Sequence, residues 1–144
     1  MFCALITGIT GQDGSYLTEL LLEKGYEVHG VARPTNSREN SRLGHLLNDS
    51  AIYNRRLFLH YTDLNDSTAP HRILSLISPD EIYHLAGQSH VGLSFDKIES
   101  TCEITAMGTL RLLDAIRNSS QQPRLFYASS SEIFGRICCA LLYQ

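Results

Sequence analysis

A chain of 144 residues is about one domain in size, and its 43% hydrophobic and 19% charged residues are those of an ordinary soluble globular protein. The formal net charge of -3 gives no electrostatic reason to expect nucleic acid or an anionic membrane as a partner. No apolar run approaches the ~20 residues of a membrane span, and no basic stretch leads into an apolar one at the start, so no membrane or secretory segment is read and a cytoplasmic location is expected.

The chain opens on Ala4-Leu5-Ile6-Thr7, a short apolar run that predicts a buried strand. Gly8, Gly11 and Gly14 follow at three-residue spacing. A helix is then predicted over 15–24, with an apolar pattern of Tyr16, Leu17, Leu20 and Leu21 and with Gly25 just past its end as a cap. Glycine at these positions permits a tight strand-to-helix turn, a close approach of backbone to an anion, and close contact between helix and strand. The free amides and positive dipole at the helix start would meet a phosphate. Gly8, Ile9, Thr10, Gly11, Gln12 and Asp13 are therefore the candidate binding residues of a dinucleotide turn, in the context of strand and helix that such a motif requires.

A second strand is predicted over 27–31. The position at its end chooses between dinucleotides: an acidic residue there suits the ribose hydroxyls of NAD, whereas this chain offers Ala32 and then Arg33. A guanidinium suits the additional phosphate of NADP, the alternative being a solvated surface arginine; the location favours NADP. Residues 34–54 are polar and read as a loop with a short helix near 43–47. The third strand is predicted over 57–61, ending at Asp63, which either meets the adenine edge or caps a turn. A helix is expected from Ser67 as N-cap through Ile77, with Pro70 in the first turn and Ile73, Leu74, Leu76 and Ile77 buried. The fourth strand is read over 81–86, a long helix over 95–118 with Leu110, Leu112, Leu113 and Ile116 apolar, and the fifth strand over 124–128. This alternation predicts an α/β fold, a doubly wound parallel sheet with ligands beyond the carboxyl ends of the strands. Of the four cysteines, Cys3 and Cys102 read as buried free thiols. None of the four stands at a metal-ligand spacing, so no metal site is expected.

Four stretches, 4–17, 85–91, 107–115 and 126–135, resemble the extended short-chain dehydrogenase/reductase family, which acts on nucleotide sugars, and within it the 4,6-dehydratases that use GDP-mannose. Gly11-Gln12-Asp13-Gly14 in the turn and Gln88-Ser89-His90-Val91 after the fourth strand are the more specific features. The resemblance implies an NADP-binding Rossmann domain over 1–135, followed by a divergent tail over 136–144 and no substrate domain. It further implies that Arg33 with Thr35 holds the 2′-phosphate, that Asp63 and Leu64 contact adenine, and that Leu85, Ala86, Gly87, Gln88 and Ser89 run beside the ribose and nicotinamide.

In the reaction the resemblance implies, hydride leaves C4 of the sugar for NADP⁺ and returns to C6 after water is lost. Ser130 matches the catalytic Ser/Thr that would hold the C4 oxygen. Glu132 matches the glutamate that would take the C5 proton and help expel the C6 hydroxyl. Read without the resemblance, Ser130 and Glu132 could equally cap a helix. None of the seven tyrosines has lysine four positions later, so the family's Tyr-x-x-x-Lys pair is absent and the chain is expected to be inactive alone. A homo-oligomer is expected of the complete enzyme. A non-catalytic NADP-binding or regulatory module, or part of another nucleotide-sugar epimerase or reductase, is the alternative.

Overall fold

The computed structural model describes residues 1–33, 42–63 and 65–130, the side chain of Val91 excepted. Five strands, β1 (Cys3–Thr7), β2 (Glu27–Ala32), β3 (Leu57–Tyr61), β4 (Glu81–His84) and β5 (Arg124–Tyr127), form one sheet in the order β3-β2-β1-β4-β5. Every pairing is parallel. The helices are α1 (Gln12–Glu23), α2 (Gly44–Leu47), α3 (Ala69–Ile77), α4 (Val91–Asp96), α5 (Ile98–Cys102) and α6 (Gly108–Arg117), with a π-helical turn over Glu103–Met107 joining the last two. The architecture is the doubly wound, Rossmann-like α/β fold that the alternation of elements predicts. No helix among the described residues is long and apolar enough to cross a membrane.

Side chains alternate across each strand, so a sheet covered on both faces needs apolar residues at both parities. One core joins Ala4, Ile6, Val28 and Leu57 of the sheet to Leu21 and Leu22 of α1 and to Leu43 and Leu46. The other joins Leu5, Val31 and Ile82 to Ile73 and Leu74 of α3 and to Leu112 and Ala115 of α6. The winding reverses between β1 and β4, and the carboxyl ends of these two strands are where sheets of this class form their ligand crevice.

Several local expectations are corrected. Helix α1 begins at Gln12, not Ser15, because Gly11 already has the extended geometry of an N-cap (φ -71, ψ 173). Its buried side is Gly14, Ser15, Thr18, Leu21 and Leu22, while Tyr16 and Leu20 face solvent. Small residues let the helix lie close to the turn, and the two hydroxyls are satisfied within the helix: Ser15 donates to Gln12 O and Thr18 to Gly14 O, both at 2.7 Å. Helix α3 takes Thr68 rather than Ser67 as its N-cap, because the Asp66 carboxylate accepts both the N–H (2.9 Å) and the hydroxyl (2.8 Å) of Thr68 and fixes the entry turn. Leu76 points outward. Strand β4 ends at His84, two residues short of the predicted end.

The single long helix is three shorter pieces. It starts early, at Val91, where His90 Nδ1 accepts the Leu93 N–H at 3.2 Å. It breaks at Lys97 (φ -127, ψ 58) and passes through the π-helical turn. No residue of α5 is buried and Cys102 is exposed, so the segment lacks the apolar face that would hold one continuous helix against the sheet. Leu110 and Leu113 also face outward, leaving Leu112 and Ala115 as the inward face of α6.

Candidate functional site

The turn after β1 is built around contacts that exclude a side chain. Gly8 has φ +73, and a Cβ there would stand 2.9 Å from Ala86 N and 3.0 Å from Leu85 C. The turn thus rests directly on the exit of β4, at the crevice. The Gly11 N–H donates to Gly8 O at 2.9 Å and closes the turn. A Cβ on Gly14 would lie 2.5 Å from Gly8 O and 2.7 Å from the Ile9 Cα, so the start of α1 is pressed onto the same turn. With glycine as N-cap, the capping residue itself offers no side chain to the amides of the first helical turn. Amides and a helix dipole so placed have the polarity of an anion cradle.

The candidates divide once the chain is folded. Gln12 and Asp13 are exposed at the cradle and Thr10 is half-buried. Ile9 contributes its backbone there, while its fully buried side chain runs into the core over Gly30 of β2; a Cβ on Gly30 would stand 2.2 Å from the Ile9 Cδ1. Gly30 was not foreseen as part of the turn, and only the fold brings it to Ile9. Arg33 is exposed beyond β2 and Asp63 is exposed beyond β3. The Asp63 carboxylate accepts the Asn65 N–H at 2.9 Å, which is the turn-capping role. Leu85 to Ser89 leave β4 and Ser130 follows β5, at the same end of the sheet. Ser129, just before Ser130, has φ +57, a left-handed backbone that L-residues adopt at a cost of about 1–2 kcal/mol. Thr35, Leu64, Glu132 and the tail lie outside the described residues.

A polar clamp behind the crevice was not anticipated. His84, at the end of β4, is almost fully buried between two threonines, with Nδ1 2.6 Å from Thr7 Oγ1 and Nε2 3.0 Å from Thr109 Oγ1. The Thr109 hydroxyl donates to Thr105 O at 2.6 Å, so His84 Nε2 carries the proton and donates to Thr109. Nδ1 is then the acceptor of the Thr7 hydroxyl, whose oxygen in turn accepts the Ala86 N–H at 3.3 Å. Burial holds the imidazole below its ordinary pKa, which keeps it neutral in this single tautomer. Thr105, in the π-helical turn, accepts the Gln88 N–H at 3.2 Å. The exit of β4 is thereby tied to β1 through Thr7 and to the helical layer through Thr105. A histidine at the carboxyl end of a strand was the one sequence signal for His84.

The sheet order together with a glycine turn at its winding reversal defines the Rossmann class of nucleotide-binding folds. Residues 5–140 match the family described as GDP-mannose 4,6 dehydratase, and the chain belongs to that family. It is 52% identical over 136 residues to GDP-mannose 4,6-dehydratase of Yersinia enterocolitica, covering 93% of this chain and 37% of that protein. It is 50% identical over 137 residues to the human GDP-mannose 4,6 dehydratase, again over 93% of this chain and 37% of the relative. The chain thus spans little more than a third of the length of these relatives. Among solved structures, it is similar to the Thermus thermophilus UDP-glucose 4-epimerase in complex with NAD, with 29% identity, a TM-score of 0.65, and coverage of 81% of this chain and 34% of that one. It is also similar to the Thermotoga maritima UDP-glucose 4-epimerase with UDP-glucose, with 25% identity, a TM-score of 0.71, and coverage of 88% and 37%.

Proposed function

We propose that this chain is the NADP-binding part of a GDP-mannose 4,6-dehydratase, cytoplasmic and homo-oligomeric in its complete form. The observation that carries the reading is the close approach of Gly8 to Leu85 and Ala86, which sets the glycine turn and the start of α1 against the exit of β4; such a turn would cradle an anion. Gly8 to Asp13 would take the diphosphate through backbone amides. Arg33, whose guanidinium is engaged in no ion pair among the described residues, would take the 2′-phosphate, with Thr35 beside it. Asp63 and Leu64 would border the adenine, and Leu85 to Ser89 the ribose and nicotinamide. The cofactor supplies reversible hydride exchange with the sugar. Ser130 would donate a hydrogen bond to the sugar C4 oxygen, and Glu132 would take the C5 proton.

The bound NAD of the Thermus thermophilus relative supports a dinucleotide here, and Arg33 in place of an acidic residue supports NADP. Calorimetric titration of the chain with NADP⁺ and NAD⁺ tests this. NADP⁺ should bind more tightly, and Arg33→Ala should remove about 1.5–3 kcal/mol from that preference while leaving NAD⁺ nearly unchanged. Equal affinities in both proteins would refute the role of Arg33. The chain alone, offered GDP-mannose and NADP⁺, should give no 4-keto-6-deoxy product, since no tyrosine has lysine four residues on.

A further inference from the structure

The fold collects three donor side chains that the sequence keeps apart. β1 and β2 pair with Cys3 opposite Glu27, and His29 follows Glu27 by two residues, so the three side chains leave the same face of the sheet. One ligand atom from each, the Cys3 Sγ, a Glu27 carboxylate oxygen and a His29 ring nitrogen, lie within 4.8 Å of one another. Among the described residues this is the only such trio of histidine, cysteine and acidic side chains. It sits at the amino-terminal edge of β1 and β2, the edge opposite the crevice, and each residue is part-buried.

We propose that Cys3, Glu27 and His29 form a binding site for a divalent transition-metal ion, with zinc the ion the donors suit best. Thiolate, imidazole and carboxylate are zinc's three protein ligand types, and three such donors leave a fourth position for water. His29 Nε2 and Glu27 Oε1 are 2.9 Å apart, so two of the donors already converge. The other ring nitrogen, His29 Nδ1, lies 2.9 Å from His60 Nε2, the kind of outer partner that orients a ligating imidazole. The His29 ring is further held by stacking on Phe58 at 4.8 Å and on His60 at 5.2 Å. The Asp80 carboxylate accepts the Cys3 N–H at 2.8 Å and fixes the backbone of the third ligand. A bound ion would staple β1 to β2 and, through His60, engage β3. If the trio were only a His29–Glu27 ion pair, the thiol would be a bystander and removing it would change nothing.

The test uses Co²⁺ as a spectroscopic probe and Zn²⁺ as its competitor, on the full chain with Cys102, Cys138 and Cys139 changed to serine so that Cys3 is the one remaining thiol. One equivalent of Co²⁺ should give tetrahedral visible absorption with a thiolate-to-cobalt charge-transfer band, displaced by Zn²⁺. Cys3→Ser should abolish the charge-transfer band while leaving the circular dichroism and melting of the metal-free protein unchanged. His60→Gln, which removes only the outer partner, should weaken Co²⁺ binding on the order of tenfold. The absence of a band in the Cys3-only protein, or a band that survives Cys3→Ser, overturns the proposal.

Discussion

Gly8 and Gly25 both carry positive φ, at +73 and +83, yet their surroundings differ, and the pair separates backbone strain from close approach. A side chain at Gly25 would meet nothing within 4 Å, whereas one at Gly8 would meet Ala86 N at 2.9 Å and the carbonyl of Leu85 at 3.0 Å, all backbone atoms. Gly25→Ala should therefore cost only the left-handed term, about 1–2 kcal/mol. Gly8→Ala should cost that plus about 1–3 kcal/mol of overpacking, or the displacement of the turn from the β4 exit. Against a typical total of about 5–15 kcal/mol, the two variants are distinguishable by urea denaturation followed by circular dichroism. Gly14→Ala supplies the complementary case. Its backbone is ordinary, but its Cβ would stand 2.5 Å from Gly8 O, so its cost is contact alone. Calorimetry with NADP⁺ should then find binding intact in Gly25→Ala and lost in Gly8→Ala and Gly14→Ala. Equal stability of Gly8→Ala and Gly25→Ala, with both binding NADP⁺ as the parent does, would refute the reading that the turn is pressed onto β4 to form the cradle.

Two further outcomes concern the clamp. His84 is held neutral by burial, between Thr7 and Thr109 and against the ring of Tyr127 at 5.3 Å. Its folded pKa lies below the ordinary 6.5, so the unfolded chain binds the proton first. The stability it contributes is complete above pH 6.5 and declines as pH falls through that value toward the folded pKa. Urea melts over pH 5–8 should show a shallower acid decline in His84→Gln than in the parent, and identical slopes would exclude His84 as a source of the pH dependence. Thr105→Val keeps the shape but removes the acceptor of the Gln88 N–H; it should cost about 1 kcal/mol and speed hydrogen exchange at Gln88 and not within β1. Unchanged exchange at Gln88 would show that the π-helical turn does not hold the loop.

The parallel sheet was legible because strands alternate with helices and both faces of such a sheet must be apolar, and the turn because the glycines carry a local rule; the strand order β3-β2-β1-β4-β5 came from the fold. Gly8, Gly11 and Gly14 announce a turn whatever the rest of the chain does. What escaped the sequence was non-local or inverted. The roles of Gly30 and His84 depend on Ile9, Thr7 and Thr109, which the chain brings near only when it folds. The inner face of α1 was read in part: Leu17 and Leu21 pack inward, but Tyr16 and Leu20 face solvent, because a helix lying this close to a turn also buries serine, threonine and glycine. The long helix was misread for the opposite reason. Apolar residues such as Phe95, Ile98 and Leu110 kept a helical rhythm across 95–118 although they face outward, and that rhythm carries no mark of the break at Lys97 or of the π-helical turn.

The cradle and the clamp meet at one segment. Ala86 is touched by Gly8 from the turn, and its N–H is held by Thr7; two residues on, Gln88 is held by Thr105. The segment leaving β4 is therefore fixed by the end of β1 and by the helical layer at once. A cofactor laid along it would meet a surface set in place before binding, so little ordering cost would be charged against its affinity. That arrangement also explains why a neutral histidine ends β4. A lysine or carboxylate buried between Thr7 and Thr109 would need a counter-charge. A neutral imidazole accepts from Thr7 and donates to Thr109 at opposite edges of one ring, spanning from β1 to α6 with both nitrogens satisfied.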